Sequence, residues 1–384
     1  MYGMNPRVRA LRVTVCVLAR SISLLALFIA GCGAPDSRSP GEDVARAPLV
    51  HEAYVWQRAW TAPVRDAVAE APRELSGLRV LALEIAADGT ASWPAVAIDA
   101  LRASRRPITA VVRIDGSRPI ADLSLAPVVT KLAAWRDAGV DVAGVEIDHD
   151  CATAALADYA AWLRGARVPA PLRWSITALP TWTESAELAR VIAAVDESVV
   201  QVHAIRAPVV FEPRQARRWV EAFAAATAGR PFRVAVPTYR VVIDGVAHEA
   251  DPREVAGFVH ELARAAPPGL RGIVWFRLPV ASDRATWRVS TLRVAINQLP
   301  LVANVRVRLV PHAGGTFDVV LSNDGTLDAR YPGIALEGPG DLVAGYRHAE
   351  DSRWTPPARL LAAGETIVIG WATGKREDLY VSIR

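Results

Sequence analysis

Between residues 51 and 299 the chain switches repeatedly between two hydrophobic periods. Short runs rich in β-branched and aromatic residues fall at 53–57, 78–85, 108–114, 142–148, 172–179, 198–203, 232–237 and 272–278. Between them, apolar residues recur every three or four positions, as in 125–138, 153–165, 185–195, 214–228, 252–266 and about 283–297. The first pattern suits a strand and the second an amphipathic helix. Asp251-Pro252 reads as an N-cap followed by proline in the first turn, and Gly139, Gly165 and Gly229 as helix ends. Eight strand–helix units predict an α/β fold, a (β/α)8 TIM-like barrel over residues 51–299. An open doubly wound sheet is the alternative, but no glycine-rich phosphate turn follows the first strand.

After Pro300 the helical period disappears. Short alternating runs at 304–310, 317–322, 333–337, 342–346, 366–371 and 379–383 predict a small C-terminal antiparallel β-sandwich over residues 300–384. Asn323-Asp324-Gly325 reads as a hairpin turn.

The N-terminus is of a different kind. Arg7, Arg9 and Arg12 precede a short apolar stretch, 21–30, and then Ile29-Ala30-Gly31-Cys32. That order resembles the signal and lipobox of bacterial lipoproteins. The resemblance implies a signal peptide over 1–31, a lipid on Cys32 that attaches the protein to a membrane, and a flexible tether over 32–50. Gly33, rather than an aspartate, follows the cysteine. The location this implies is the bacterial cell envelope, at the periplasmic face of the outer membrane. Of the three cysteines only Cys151 would remain in the body, so no internal disulfide is expected. The net charge of +4 comes without a Lys/Arg-rich run interleaved with aromatics, so nucleic acid is not an expected partner.

The chemistry concentrates in 142–151, VAGVEIDHDC. Alternation along a strand puts Glu146, Asp148 and Asp150 on one face. Three like charges on an inward face are costly unless they are used. The C-terminal ends of barrel strands form the active face of such folds. That face is expected to gather these acids with Trp56, Glu84, Arg113, His203, Tyr239, Trp275 and Arg277. Carboxylates that orient hydroxyls beside aromatic faces suit a carbohydrate. Three carboxylates could also hold Ca²⁺ or Mg²⁺, but no Cys/His spacing supports zinc, and no cofactor is expected.

Two resemblances follow from these residues. The lipobox, the YVWQRAWT opening, the GVEIDHDC strand and the β-rich tail together resemble the bacterial lipoprotein family labelled domain of unknown function 3142, over nearly the whole chain after Cys32. More distantly, 143–150 resembles the D-G-x-D-x-D-x-E strand of family 18 glycosidases, the chitinase-like barrels. Gly144 and Asp148 match, Glu146 replaces an aspartate, Asp150 stands in place of the glutamate, and Ala143 departs from the first aspartate. This second resemblance implies Asp150 as general acid, Asp148 as the carboxyl that orients the substrate's acetamide, and Glu146 as a tuning neighbour. It implies hydrolysis of a glycosidic bond in a polysaccharide. A barrel that binds a glycan or an envelope partner without catalysis is the alternative.

Overall fold

In a computed structural model the described residues are 48–384, except 167, 206, 340–342, 348, 351–352 and 358. The expected signal, Cys32 and most of the tether lie outside them.

Eight parallel strands close into a barrel. They are β1 (Val50–Val55), β2 (Leu75–Ile85), β3 (Ile108–Ile114), β4 (Val142–His149), β5 (Arg173–Ala178), β6 (Glu197–Gln201), β7 (Phe232–Pro237) and β8 (Leu270–Phe276). Each pairs in parallel with the next, and β8 returns to β1. The expected TIM-like barrel is therefore present. Among the described residues eight helices cover it: Ala62–Ala69, Ile98–Ser104, Ala126–Asp137, Leu156–Gly165, Leu188–Ala193, Pro213–Ala226, Pro252–Arg264 and Val289–Ile296. In the helix Pro252–Arg264, Asp251 accepts from the Arg253 amide at 2.7 Å, and Val255, Phe258, Val259 and Leu262 form the stripe buried on the barrel.

The last helix begins later than its apolar period suggests. Residues 285–287 are held against 238–240 by Arg240 N–H to Ala285 O and Trp287 N–H to Thr238 O, so the backbone there is not free to coil. A hairpin, Arg240–Ile243 with Val246–Glu249, follows β7. Its Asp244-Gly245 turn has both residues at positive φ, as a tight hairpin turn requires.

Two cores divide the barrel. The outer one lies between strands and helices. A smaller one fills the lumen with Tyr54, Val111, Val199, Ala235 and Val274, and Trp56 and Phe276 pack on it from the mouth. Below that plug is a layer of charge. Arg79 donates to Glu52 at 2.6 Å, to Glu197 at 3.0 Å and to Glu146, while Arg233 donates to Glu197 at 2.8 Å. Burial pushes the Glu52 carboxyl up, but Arg79 and Arg233 pull harder, and it lies below the usual range.

The C-terminal part is antiparallel, as the alternation predicted. Val305–Pro311, Thr316–Asn323, Thr366–Thr373 and Val343–Tyr346 form one sheet in that order, and Ile334–Glu337 pairs with Tyr380–Ile383. Phe317, Val319, Leu321, Ile369 and Leu379 are among the residues of their core. The Asn323-Asp324-Gly325 turn closes no hairpin, because the strand ending at Asn323 has its neighbours elsewhere in the chain. Buried Asn323 instead donates to Leu327 O and Leu361 O and accepts from the Asn304 and Gly325 amides. A Cβ on Gly325 would stand 2.1 Å from Val302 O. Glycine is required there by the close approach of residues 302–304.

Candidate functional site

The acid strand β4 delivers its three carboxylates to one face, at three depths. Glu146 is deepest and wholly buried. One oxygen accepts from the Tyr54 hydroxyl at 2.6 Å and from the Thr177 hydroxyl at 2.9 Å, and the other from Arg79. With every oxygen committed, Glu146 anchors the lumen and does not face a ligand. Of the three acids on this face it is the one that lies beneath the pocket. Tyr54 and Arg79 were missed in the sequence. Tyr54 has the parity of Trp56, and Arg79 looked like an interruption in an apolar strand.

Asp148, 5% exposed, sits one layer up. Its Oδ2 accepts from Arg113 Nη1 at 3.0 Å, and the same nitrogen reaches Asp150 Oδ2 at 2.7 Å. One guanidinium on β3 thus clamps both acids. Arg113 is where register would put it, opposite Asp148 across the β3–β4 ladder. Asp150, with its side chain 30% exposed, is nearer the open rim. Burial, followed by the charge of Asp150, raises the Asp148 carboxyl; Arg113 opposes this, Glu146 adds to it, and the result is about 7. The loop after β3 must pass close by. A Cβ on Gly116 would stand 2.2 Å from Asp150 O. Asp115, before it, shapes the turn by accepting from the Ser117 amide and hydroxyl.

Above the lumen plug a pocket of ≈ 230 Å³, its open mouth included, is lined by Tyr54, Trp56, Asp148, Thr177, Gln201, His203, Ala235 and Phe276. Trp56 and Phe276 rings lie 5.2 Å apart, and Tyr54 stands edge-on to both. His203 is packed on Phe276 with its Nδ1 3.3 Å from the Tyr239 hydroxyl, and its Nε2 is buried without a partner. Burial lowers the imidazole to about 3, so the ring is neutral at ordinary pH. Burial raises the Tyr239 phenol to about 12. Tyr239 stands behind His203 and does not line the pocket.

The structure therefore brings together Asp148, Asp150, Arg113, Trp56 and His203, with Tyr239 behind. Three expected residues lie elsewhere. Trp275 is completely buried on the outer face of β8, donating to His51 Nδ1 at 3.2 Å and packing on Trp287. Its neighbour Phe276 has the inward parity and takes the place expected for it. Arg277 pairs with Asp283 rather than with the acids of β4. Glu84 pairs with Arg58 at 2.5 and 2.6 Å. Among the described residues no group of three or more His, Cys, Asp or Glu side chains could hold a metal ion.

Residues 104–249 match the family described as Domain of unknown function (DUF3142). The DUF3142 match contains the acid strand, the Arg113 clamp, His203 and the hairpin after β7, a shorter span than the resemblance implied. No curated protein matches the chain. Solved structures of similar fold include a chitinase from Chromobacterium violaceum, 14% identical over 65% of this chain and 98% of that one, with a TM-score of 0.48. The spore cortex-lytic enzyme SleL of Bacillus cereus is 13% identical over 66% and 75%, with a TM-score of 0.47. A fungal endo-beta-N-acetylglucosaminidase from glycosyl hydrolase family 18 is 12% identical over 65% and 96%, with a TM-score of 0.42. These are distant likenesses of the barrel alone.

Proposed function

We propose that this protein is an envelope lipoprotein whose barrel mouth binds a polysaccharide and hydrolyses a glycosidic bond in it. The observation that carries the reading is the Asp148–Asp150 pair under one arginine, beside an aromatic pocket. Burial and mutual repulsion keep a proton on this pair close to neutral pH. In the proposed site Asp148, inside the pocket, orients the sugar. Asp150, at the rim, delivers the proton held by the pair to the glycosidic oxygen as the bond to the anomeric carbon breaks, and water adds to that carbon and returns a proton to the pair. Trp56 and Phe276 hold the ring. A glycan-binding barrel without catalysis is the second reading, and the Arg113 clamp on both acids is what favours it.

The test compares the full chain with Asp150→Ala on a panel of oligosaccharides, including N-acetylglucosamine oligomers and peptidoglycan fragments, with products read by mass spectrometry. Cleavage by the wild type, reduced on the order of 100-fold or more in the variant, is expected. Retention of a glycan by both proteins without cleavage supports the binding reading, and neither cleavage nor binding contradicts both.

Attachment at Cys32 has its own test. Among the described residues no helix is long and apolar enough to cross a membrane. Cys32→Ala is expected to move the protein from the membrane fraction to the soluble or unprocessed precursor fraction, and to abolish incorporation of labelled palmitate. Labelling that persists in the variant would place the lipid elsewhere.

A further inference from the structure

The resemblance to chitinase-like barrels implies that Asp148 meets an acetamide, but the pocket has a different character. Tyr54, Trp56, Phe276 and His203 form its rings, each touching Phe276 at centroid separations between 5.3 and 5.6 Å or, for Trp56, 5.2 Å. Among the described residues no lysine or arginine lines it. The nearest cation, Arg113, is engaged by both Asp148 and Asp150 through one nitrogen. Two of the polar lining groups are already used: the Tyr54 and Thr177 hydroxyls both donate to Glu146. Gln201 donates to His203 O. Arg113 takes Oδ2 of Asp148, which leaves Oδ1 for a ligand.

The space open to a ligand beside Asp148 is small, so bulk on the entering group is penalised. A single carboxyl beneath aromatic rings, with no free cation, attracts a compact positive group through charge and through the ring quadrupoles. It disfavours a carboxylate, because Arg113, the nearest cation, is already shared by Asp148 and Asp150. It also disfavours an acetamide, which is larger than the space open beside Asp148.

We propose that the pocket recognises the ammonium group of an unsubstituted amino sugar, with Asp148 as its counter-ion and Trp56, Tyr54 and Phe276 as the aromatic wall. This rests on the glycan reading and names its substrate class: a polysaccharide carrying free hexosamine. Such a residue has no acetamide carbonyl to act as an internal nucleophile, so binding rather than turnover is the readout.

Calorimetric titration of the full chain in detergent, at mildly acid pH, would compare glucosamine, N-acetylglucosamine and glucuronic acid oligomers of equal length. The glucosamine oligomer is expected to bind about 10-fold or more tighter than the other two, with proton release to the buffer as Asp148 ionises. Asp148→Asn should erase the preference. The wild-type ranking decides the matter even if a variant fails to fold. Tightest binding of the acetylated or acidic oligomer overturns the ammonium site and leaves the glycan reading standing. Binding of none of the three overturns both.

Discussion

Asp148→Asn is expected to gain stability over the wild type as pH rises from about 4 to about 8, by on the order of 4 kcal/mol. In the unfolded chain the aspartate ionises near its model value of 3.8, whereas in the folded barrel it does so at about 7. Between those values the unfolded state binds fewer protons, so wild-type stability falls with rising pH. The contribution is fully present below about pH 4 and is lost as pH passes through about 7. An asparagine has no proton to lose and shows no such loss. Denaturant midpoints of the two proteins across this range are the measurement, and parallel curves would contradict the account. On the proposed reading the same substitution removes the carboxyl that orients the sugar, and hydrolysis is expected to fall at every pH.

Arg79→Met is expected to cost about 3–5 kcal/mol, enough to unfold many domains of ordinary stability. Arg79 is 2% exposed and donates to three carboxylates, those of Glu52, Glu146 and Glu197. Arg233 remains beside Glu197 and, at 3.5 Å, Glu52. Glu146 would keep only the Tyr54 and Thr177 hydroxyls, and an uncompensated buried charge is far costlier than the loss of a complete pair. Adding Glu146→Gln to Arg79→Met removes that charge and should recover part of the loss. Urea denaturation of the single and double variants tests this. If the double variant were no more stable than Arg79→Met, Glu146 would not be the source of the cost.

The barrel was legible because parallel strands covered on both faces read as apolar runs and their helices as amphipathic ones. The runs at Ile108–Ile114 and Phe232–Pro237 coincide with the observed strands to the residue. The shared face of Glu146, Asp148 and Asp150 followed from alternation alone. What alternation did not supply was partners. Arg79 lies within an otherwise apolar run, and nothing local says that it faces three carboxylates from β1, β4 and β6. Trp275 was placed at the mouth because it stands near the end of its strand, but strand parity turns it into the helix layer and gives Phe276 the mouth. Trp56 carried the right parity and lines the pocket. Arg277 and Glu84 found charge partners nearer than the acid strand, a choice made by loops whose paths the hydrophobic pattern does not encode.

Asp148 is expected to hold its proton close to neutral pH at the floor of the proposed glycan pocket. Carbon-13 NMR titration of the aspartate carboxyls, with Asp148→Asn used to assign the signal, measures it directly. A midpoint at about 7 is expected. A midpoint near the ordinary aspartate value of about 4 would contradict it.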